Sequence, residues 1–134
     1  MRFLRKLTRK DGMSESIFFF DTYAFFEIIR GNPGYETYKD VVAITTIFNL
    51  AELNYGLKKE VGVAVADELT SQYEPFVVDA TADDVKKAMT FRLQHKDMSI
   101  PDAIGYIVAR RYNIRFLTGD DDFKNLPHVE FVKK

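Results

Sequence analysis

The 134-residue chain has room for one domain around one core, and with 46% apolar residues, twelve Phe and seven Tyr it is too hydrophobic to be a disordered segment. It contains no cysteine, which excludes a disulfide framework, thiolate-bound zinc and a thiol nucleophile. The net charge of −1 hides an asymmetry: five of the first ten residues are Arg or Lys, while the remainder carries 14 bases against 20 acids, which argues against a broad phosphate-binding surface.

In chain order, "MRFLRKLTRK" opens a basic N-terminal arm over 1–15, either a mobile terminus or a contact for nucleic acid, and a single domain follows over 16–134. "DGMSES" stands where a signal peptide needs its apolar core. The longest apolar region, "IFFFDTYAFFEII", is interrupted by Asp21 and Glu27 and is too short to cross a bilayer. A soluble, cytoplasmic chain with no membrane association is expected.

"SIFFF" (16–20) predicts a buried strand, and "TYAFFEIIRG" a helix ended by Gly31 ahead of the turn "NPG". "VVAIT" (41–45) predicts a second strand, followed by helices over 46–60 and 63–73. "PFVVDA" (75–80) reads as a third strand with Pro75 at its first position. Thr81 and Asp84 form a capping-box pattern opening a helix over 81–98, and a further helix runs over 99–113 with Asn113 as its cap. "IRFLTG" and "VEFV" (129–132) complete the strands. Short apolar strands alternating with helices predict an α/β fold, a three-layer α/β/α sandwich with a four- to five-stranded parallel sheet and right-handed crossovers.

In such a fold the C-terminal ends of the strands and the N-terminal ends of the helices share one edge, where ligands bind. Four acids map there. Asp21 ends the first strand, Glu52 lies in the second turn of the helix after strand two, Asp102 sits in the first turn of its helix, and Asp120 follows "FLTG". Each has an ordinary reading alone: Asp21 as an N-cap, Asp102 as the end of a capping box begun by Ser99, Glu52 as an exposed helix acid, and Asp120–Asp122 as a solvated turn. None of these explains the convergence. Carboxylates within about 4–6 Å of one another stay ionised only if protons or cations neutralise them. With no cysteine and with His95 and His128 mapped elsewhere, oxygen-only ligation selects a hard cation, Mg²⁺ or Mn²⁺, and the chemistry of phosphodiester hydrolysis.

The stretches "FFFDTYAFFEII", "ITTIFNLAELNYGL", "SIPDAIGYIVARRYN" and "RFLTGDDDF" together resemble the four motifs of PIN-domain nucleases, most closely the VapC-type toxins of toxin–antitoxin pairs, over residues 16–132. The resemblance implies Mg²⁺- or Mn²⁺-dependent cleavage of RNA by water, leaving a 5′-phosphate. It places the acidic quartet on Asp21, Glu52, Asp102 and Asp120, with Asp122 an accessory acid. Thr22 and Thr118 fall on the positions of supporting hydroxyls. Asp21, Asp102 and Asp120 become the main metal ligands, directly or through water, Glu52 orients or deprotonates the attacking water, and Asp121 is an exposed spacer. It further implies a homodimer and silencing by a VapB-like antitoxin, for which "YAFFEII" and Phe48 offer apolar surface unless they belong to the core. The arm is longer than the compact start of the family, and 60–73 carries no information on substrate.

Arg110, Arg111 and Arg115 read as solvated charges or helix-end partners rather than phosphate contacts. Among rivals, a haloacid-dehalogenase-type phosphatase needs an acid where Tyr23 stands, and a receiver domain needs an acidic pair and a late lysine that are missing. A catalytically silent PIN-fold RNA- or protein-binding module and an RNA-processing nuclease without an antitoxin remain as alternatives.

Overall fold

Among the described residues four short strands form one sheet: β1 (Ile17–Phe20), β2 (Val42–Ile44), β3 (Arg115–Thr118) and β4 (Val129–Phe131). They come from a computed structural model that describes residues 17–133; the basic arm lies outside the described residues. All pairings are parallel, in the order β2-β1-β3-β4. Because successive side chains alternate between faces, Ile17 and Phe19 of β1 point into one core layer and Phe18 and Phe20 into the other. Strands buried on both faces must be hydrophobic throughout, which accounts for the "IFFF" run.

Five helices cover the sheet: α1 (Thr22–Ile29), α2 (Ile47–Val61), α3 (Val63–Ser71), α4 (Ala82–Arg92) and α5 (Ile100–Arg111). Residues of α1, α2 and α3 pack with Phe20, Ala43 and Leu117 on one face, and residues of α4 and α5 pack with Phe19, Ile44 and Phe116 on the other. The result is the expected three-layer sandwich, with four strands. Side-chain caps begin four of the helices: Asp21, Thr46, Thr81 and Ser99 each accept a backbone N–H of the first turn. Thr81 and Asp84 form the reciprocal capping box that their spacing predicts. Asn113, just past α5, adopts φ 57°, the left-handed conformation that asparagine tolerates and that ends a helix.

Two elements differ from expectation. The third strand expected over 75–80 is reduced to one bridge between Thr45 and Val77, held by Thr45 N–H to the Phe76 carbonyl (3.0 Å) and Val78 N–H to the Thr45 carbonyl (2.8 Å). Pro75 has no N–H to donate and lies inside a 3₁₀ turn, Glu74–Phe76, so the backbone straightens only at Val77. The helix expected over 81–98 stops at Arg92. The N–H groups of Gln94 and His95 turn to the Phe91 and Arg92 carbonyls (3.1 Å each), and the Arg92 Nε donates to the Met98 carbonyl at 2.7 Å, closing a tight loop that delivers the chain to the Ser99 cap.

The three arginines meet protein partners. Arg111 donates to both carboxylate oxygens of buried Asp84 and, at 2.8 Å, to the Asp79 carbonyl. Arg115 pairs with Glu130 at 2.8 Å, and Arg110 reaches the Tyr106 hydroxyl at 3.3 Å. All three stand at the end of the sheet opposite the strand C-termini.

The Asp84 and Arg111 pair joins α4 to α5. Burial pushes the Asp84 carboxyl up, but Arg111 and the Thr81 cap outweigh it and hold the group below 3.8, its ordinary value. A depressed carboxyl contributes stability above its unfolded value and loses it as pH falls through the folded one. Asp84→Ala should therefore cost about 3 kcal/mol in urea unfolding at neutral pH. The penalty should shrink as the pH is lowered past the folded-state value, when the wild-type pair is also lost.

Candidate active site

The chain connection leaves β1 toward β2 on one side and β3 toward β4 on the other, so the strand order reverses between β1 and β3. A crevice opens at such a point. Asp21 follows β1 and Asp120 follows β3 there, and with Glu52 and Asp102 they line one cavity of about 310 Å³, shared with Thr22, Tyr23 and Phe26. The four acids come from four separate segments, as the mapping to one edge requires.

Asp21 is 2% exposed. Its Oδ1 accepts the Thr22 N–H at 2.8 Å and its Oδ2 accepts the hydroxyl of fully buried Thr118 at 2.7 Å. The same Thr118 oxygen accepts the Asp120 N–H at 3.0 Å, so one hydroxyl sets the spacing of two acids on neighbouring strands. Asp120 caps the 3₁₀ turn Asp121–Phe123 by accepting the Asp122 N–H on Oδ1 at 2.9 Å, leaving Oδ2 outside that bond. Asp102 is held in the first turn of α5, where its N–H donates to the Ser99 hydroxyl at 3.2 Å.

Glu52 is placed by a longer relay. The Thr22 hydroxyl donates to its Oε1 at 3.0 Å, and Asn49, fully buried, donates to the Thr22 hydroxyl at 3.5 Å. Asn49 is itself fixed by the Thr46 hydroxyl at 2.8 Å. Asn49 and Thr46 are supports that the sequence reading leaves without a role; the signal lay in the polar stripe that Asn49 shares with Glu52 on a mostly apolar helix. Two glycines admit this packing. A methyl group on Gly105, one turn beyond Asp102, would stand 2.9 Å from the Asn49 Oδ1. One on Gly119 would collide with the Val132 carbonyl oxygen and the Tyr23 ring.

The charges oppose one another. Burial, and then the Asp102 carboxylate against it, pushes the Asp21 carboxyl well up, despite the Thr118 and Thr22 bonds that pull it down. Burial raises Asp102 as well, with Asp120 and Asp122 adding to it. Burial and Asp102 raise Glu52. Burial raises Asp122, with Asp120, Asp97 and Asp121 contributing. Among the described residues no set of three His, Cys, Asp or Glu side chains closes around an ion by itself. An oxygen-only donor set with excess negative charge and open cavity volume fits a hard divalent cation that keeps part of its water.

The sequence model of the PIN domain matches residues 18–129. The chain belongs to the PIN domain family. Its fold is shared with VapC20 of Mycobacterium tuberculosis, a sarcin-ricin loop cleaving toxin, at TM-score 0.70 and 22% identity over 87% of this chain and 99% of that one. It is shared with a toxin–antitoxin complex from Klebsiella pneumoniae, at TM-score 0.68 and 19% identity over 84% and 95%. VapBC2 from Rickettsia felis, solved with a fragment of its promoter DNA, aligns at TM-score 0.66 and 18% identity over 87% and 98%. No curated protein matches the sequence significantly.

Around the four acids, Asp121 is exposed as expected and pairs with Lys133 at 3.0 Å. His128 lies far from the edge, at φ 62° before β4, its carbonyl accepting the Phe116 N–H at 2.8 Å. His95 is absent from the lining of the acidic cavity but lines another together with Asp122, because α4 ends early, at Arg92, and the loop after it turns back toward Ser99.

A carboxyl raised by burial withdraws stability as pH climbs through its folded-state value, and restores it below the unfolded one. With divalent ions chelated, Asp21→Asn should thus stabilise the chain at neutral pH by about 0.5–2 kcal/mol. Below 3.8, the ordinary value for Asp21, that gain should vanish. Adding Mn²⁺ should raise the melting temperature of the wild type and leave the variant unmoved.

Proposed function

We propose that this PIN domain is a metal-dependent endoribonuclease of the VapC type. The observation that carries the reading is the meeting of Asp21, Glu52, Asp102 and Asp120, from four distant segments, in one cavity at the switch point of the sheet. Asp21, Asp102 and Asp120 would hold Mg²⁺ or Mn²⁺, directly or through water, with Asp122 beside them. Such an ion, when bound, supplies activation of water and neutralisation of phosphoryl charge.

The rest falls to the protein. Thr118 and Thr22 hold Asp21 in one orientation, and Thr118 ties Asp120 to it. Glu52 takes a proton from the attacking water. Thr22 donates to its Oε1, Ser99 also reaches its carboxylate, and burial and Asp102 raise its proton affinity, which suits Glu52 to the role of general base. Products would carry a 5′-phosphate. A VapB-like antitoxin, a homodimeric state and a cytoplasmic setting belong to the same proposal. Support for protein partners comes from Ile47, Phe48 and Tyr55, exposed on α2 at 58%, 37% and 66%, whereas Ala24 and Phe25 of "YAFFEII" are buried in the core. No helix among the described residues is long and apolar enough to cross a membrane.

The test is cleavage of a labelled single-stranded RNA with Mn²⁺. EDTA should abolish it, Asp102→Asn and Asp120→Asn should each lower kcat at least about 100-fold, and Glu52→Gln should lower kcat about 10²–10⁴-fold with KM little changed. Cleavage that persists equally in every sample would come from a contaminant and would leave the silent binding module as the better reading.

A further inference from the structure

The acidic cavity has a neighbour. Gln94, His95, Lys96, Asp97 and Met98 of the α4–α5 loop, together with Asp122, line a second cavity of about 230 Å³. We propose that this cavity is a nucleotide subsite, which takes one unpaired base of an RNA strand on His95 while Lys96 meets the adjoining phosphate. The proposal rests on the ribonuclease reading, since it concerns how that substrate is held.

Four features carry it. The first is continuity: Asp122 belongs to the wall of this cavity, and its N–H donates at 2.9 Å to the Oδ1 of Asp120, which lines the acidic cavity. The two cavities therefore adjoin across the turn that holds Asp120 and Asp122. The second is preorganisation. The imidazole of His95 stacks on Phe91 with centroids 4.3 Å apart and planes at 28°, and Phe91 stacks in turn on Tyr106 at 5.1 Å. His95 is half-buried and lines the cavity. Met98, 1% exposed, anchors the loop, and its N–H donates to the His95 carbonyl at 3.1 Å.

The third is charge. Lys96 is exposed and has no ion-pair partner among the described residues, whereas Lys133 at the same edge is spent on Asp121. A polyanion approaching an acidic site needs such a cation on its flank. Asp97 and Asp122 repel phosphate from the cavity itself but accept the N–H groups of a base, and Gln94 can do either. The fourth is size. Pockets that enclose whole small molecules run to roughly 300–1,000 Å³, so this smaller one suits a single residue of a polymer.

The experiment uses the full chain and a fluorescent single-stranded RNA oligonucleotide of mixed sequence. Binding is read by anisotropy with Ca²⁺ in place of Mn²⁺, and Mn²⁺-dependent hydrolysis of bis(p-nitrophenyl) phosphate is read separately. His95→Ala should weaken RNA binding about 10-fold, His95→Phe should restore most of it because the stacking surface returns, and Lys96→Ala should weaken it and flatten the slope of log affinity against log salt by about 0.7. All three should hydrolyse the small phosphodiester as the wild type does. Unchanged RNA affinity in both alanine variants overturns the subsite, as does a parallel loss of small-substrate hydrolysis, which marks a purely structural loop. Failure of the wild type to hydrolyse the small substrate counts against the ribonuclease reading instead, and the binding series still decides the subsite.

Discussion

Negative charge held out of water at the meeting of β1 and β3 is the constraint on which the rest of the architecture depends. Asp21 is almost wholly buried with Asp102 against it, and Glu52, Asp120 and Asp122 stand close enough to raise or be raised by their neighbours. A fold selected for stability alone would not assemble these groups, because each additional buried carboxylate costs free energy unless a proton or cation compensates it. The strain is localised at one edge of the sheet, while the two core layers behind it are apolar and densely aromatic.

What makes the arrangement tolerable is a scaffold of neutral hydroxyl and amide groups. Thr118 bridges Asp21 and Asp120, Thr22 engages Glu52, Asn49 and Thr46 brace Thr22, and Ser99 caps the helix of Asp102. No buried side-chain nitrogen or oxygen among the described residues is left without a partner. Such a network fixes orientation without neutralising charge. Two cationic side chains are employed elsewhere: Lys133 holds Asp121 at the rim, and Arg111 holds Asp84 at the far end of the sheet, where it staples α4 to α5.

Much of this was legible before any coordinates. The continuous apolar run at 17–20 and the mostly apolar 114–117, broken only by Arg115, read as strands buried in the sheet. The four acids were legible too, because topology alone sends strand C-termini and helix N-termini to a common edge. The 75–80 segment misled because its β-branched residues outweigh, on paper, a proline whose missing N–H shortens it to one bridge. The loop after Arg92 misled because residues 93–98 carry no glycine or proline to announce a helix end. The turn after the helix is closed by the Arg92 side chain reaching the Met98 carbonyl six residues on, a side-chain contact that backbone propensity does not announce.

Residue order by itself determined the alternation of strands and helices, the caps at Asp21, Thr81 and Ser99, and the edge at which the carboxylates would surface, because these follow from side-chain periodicity and from hydrogen bonds spanning one to three residues. Tertiary structure alone decided that Thr118 would serve two acids at once, that Asn49 would stand behind Thr22, and that His95 would come to rest beside Asp122. Those relations join groups 27 to 97 positions apart, and their distances are set by how closely α2, α5 and the sheet can approach, which depends on small residues such as Gly105 and on packing summed over the whole core.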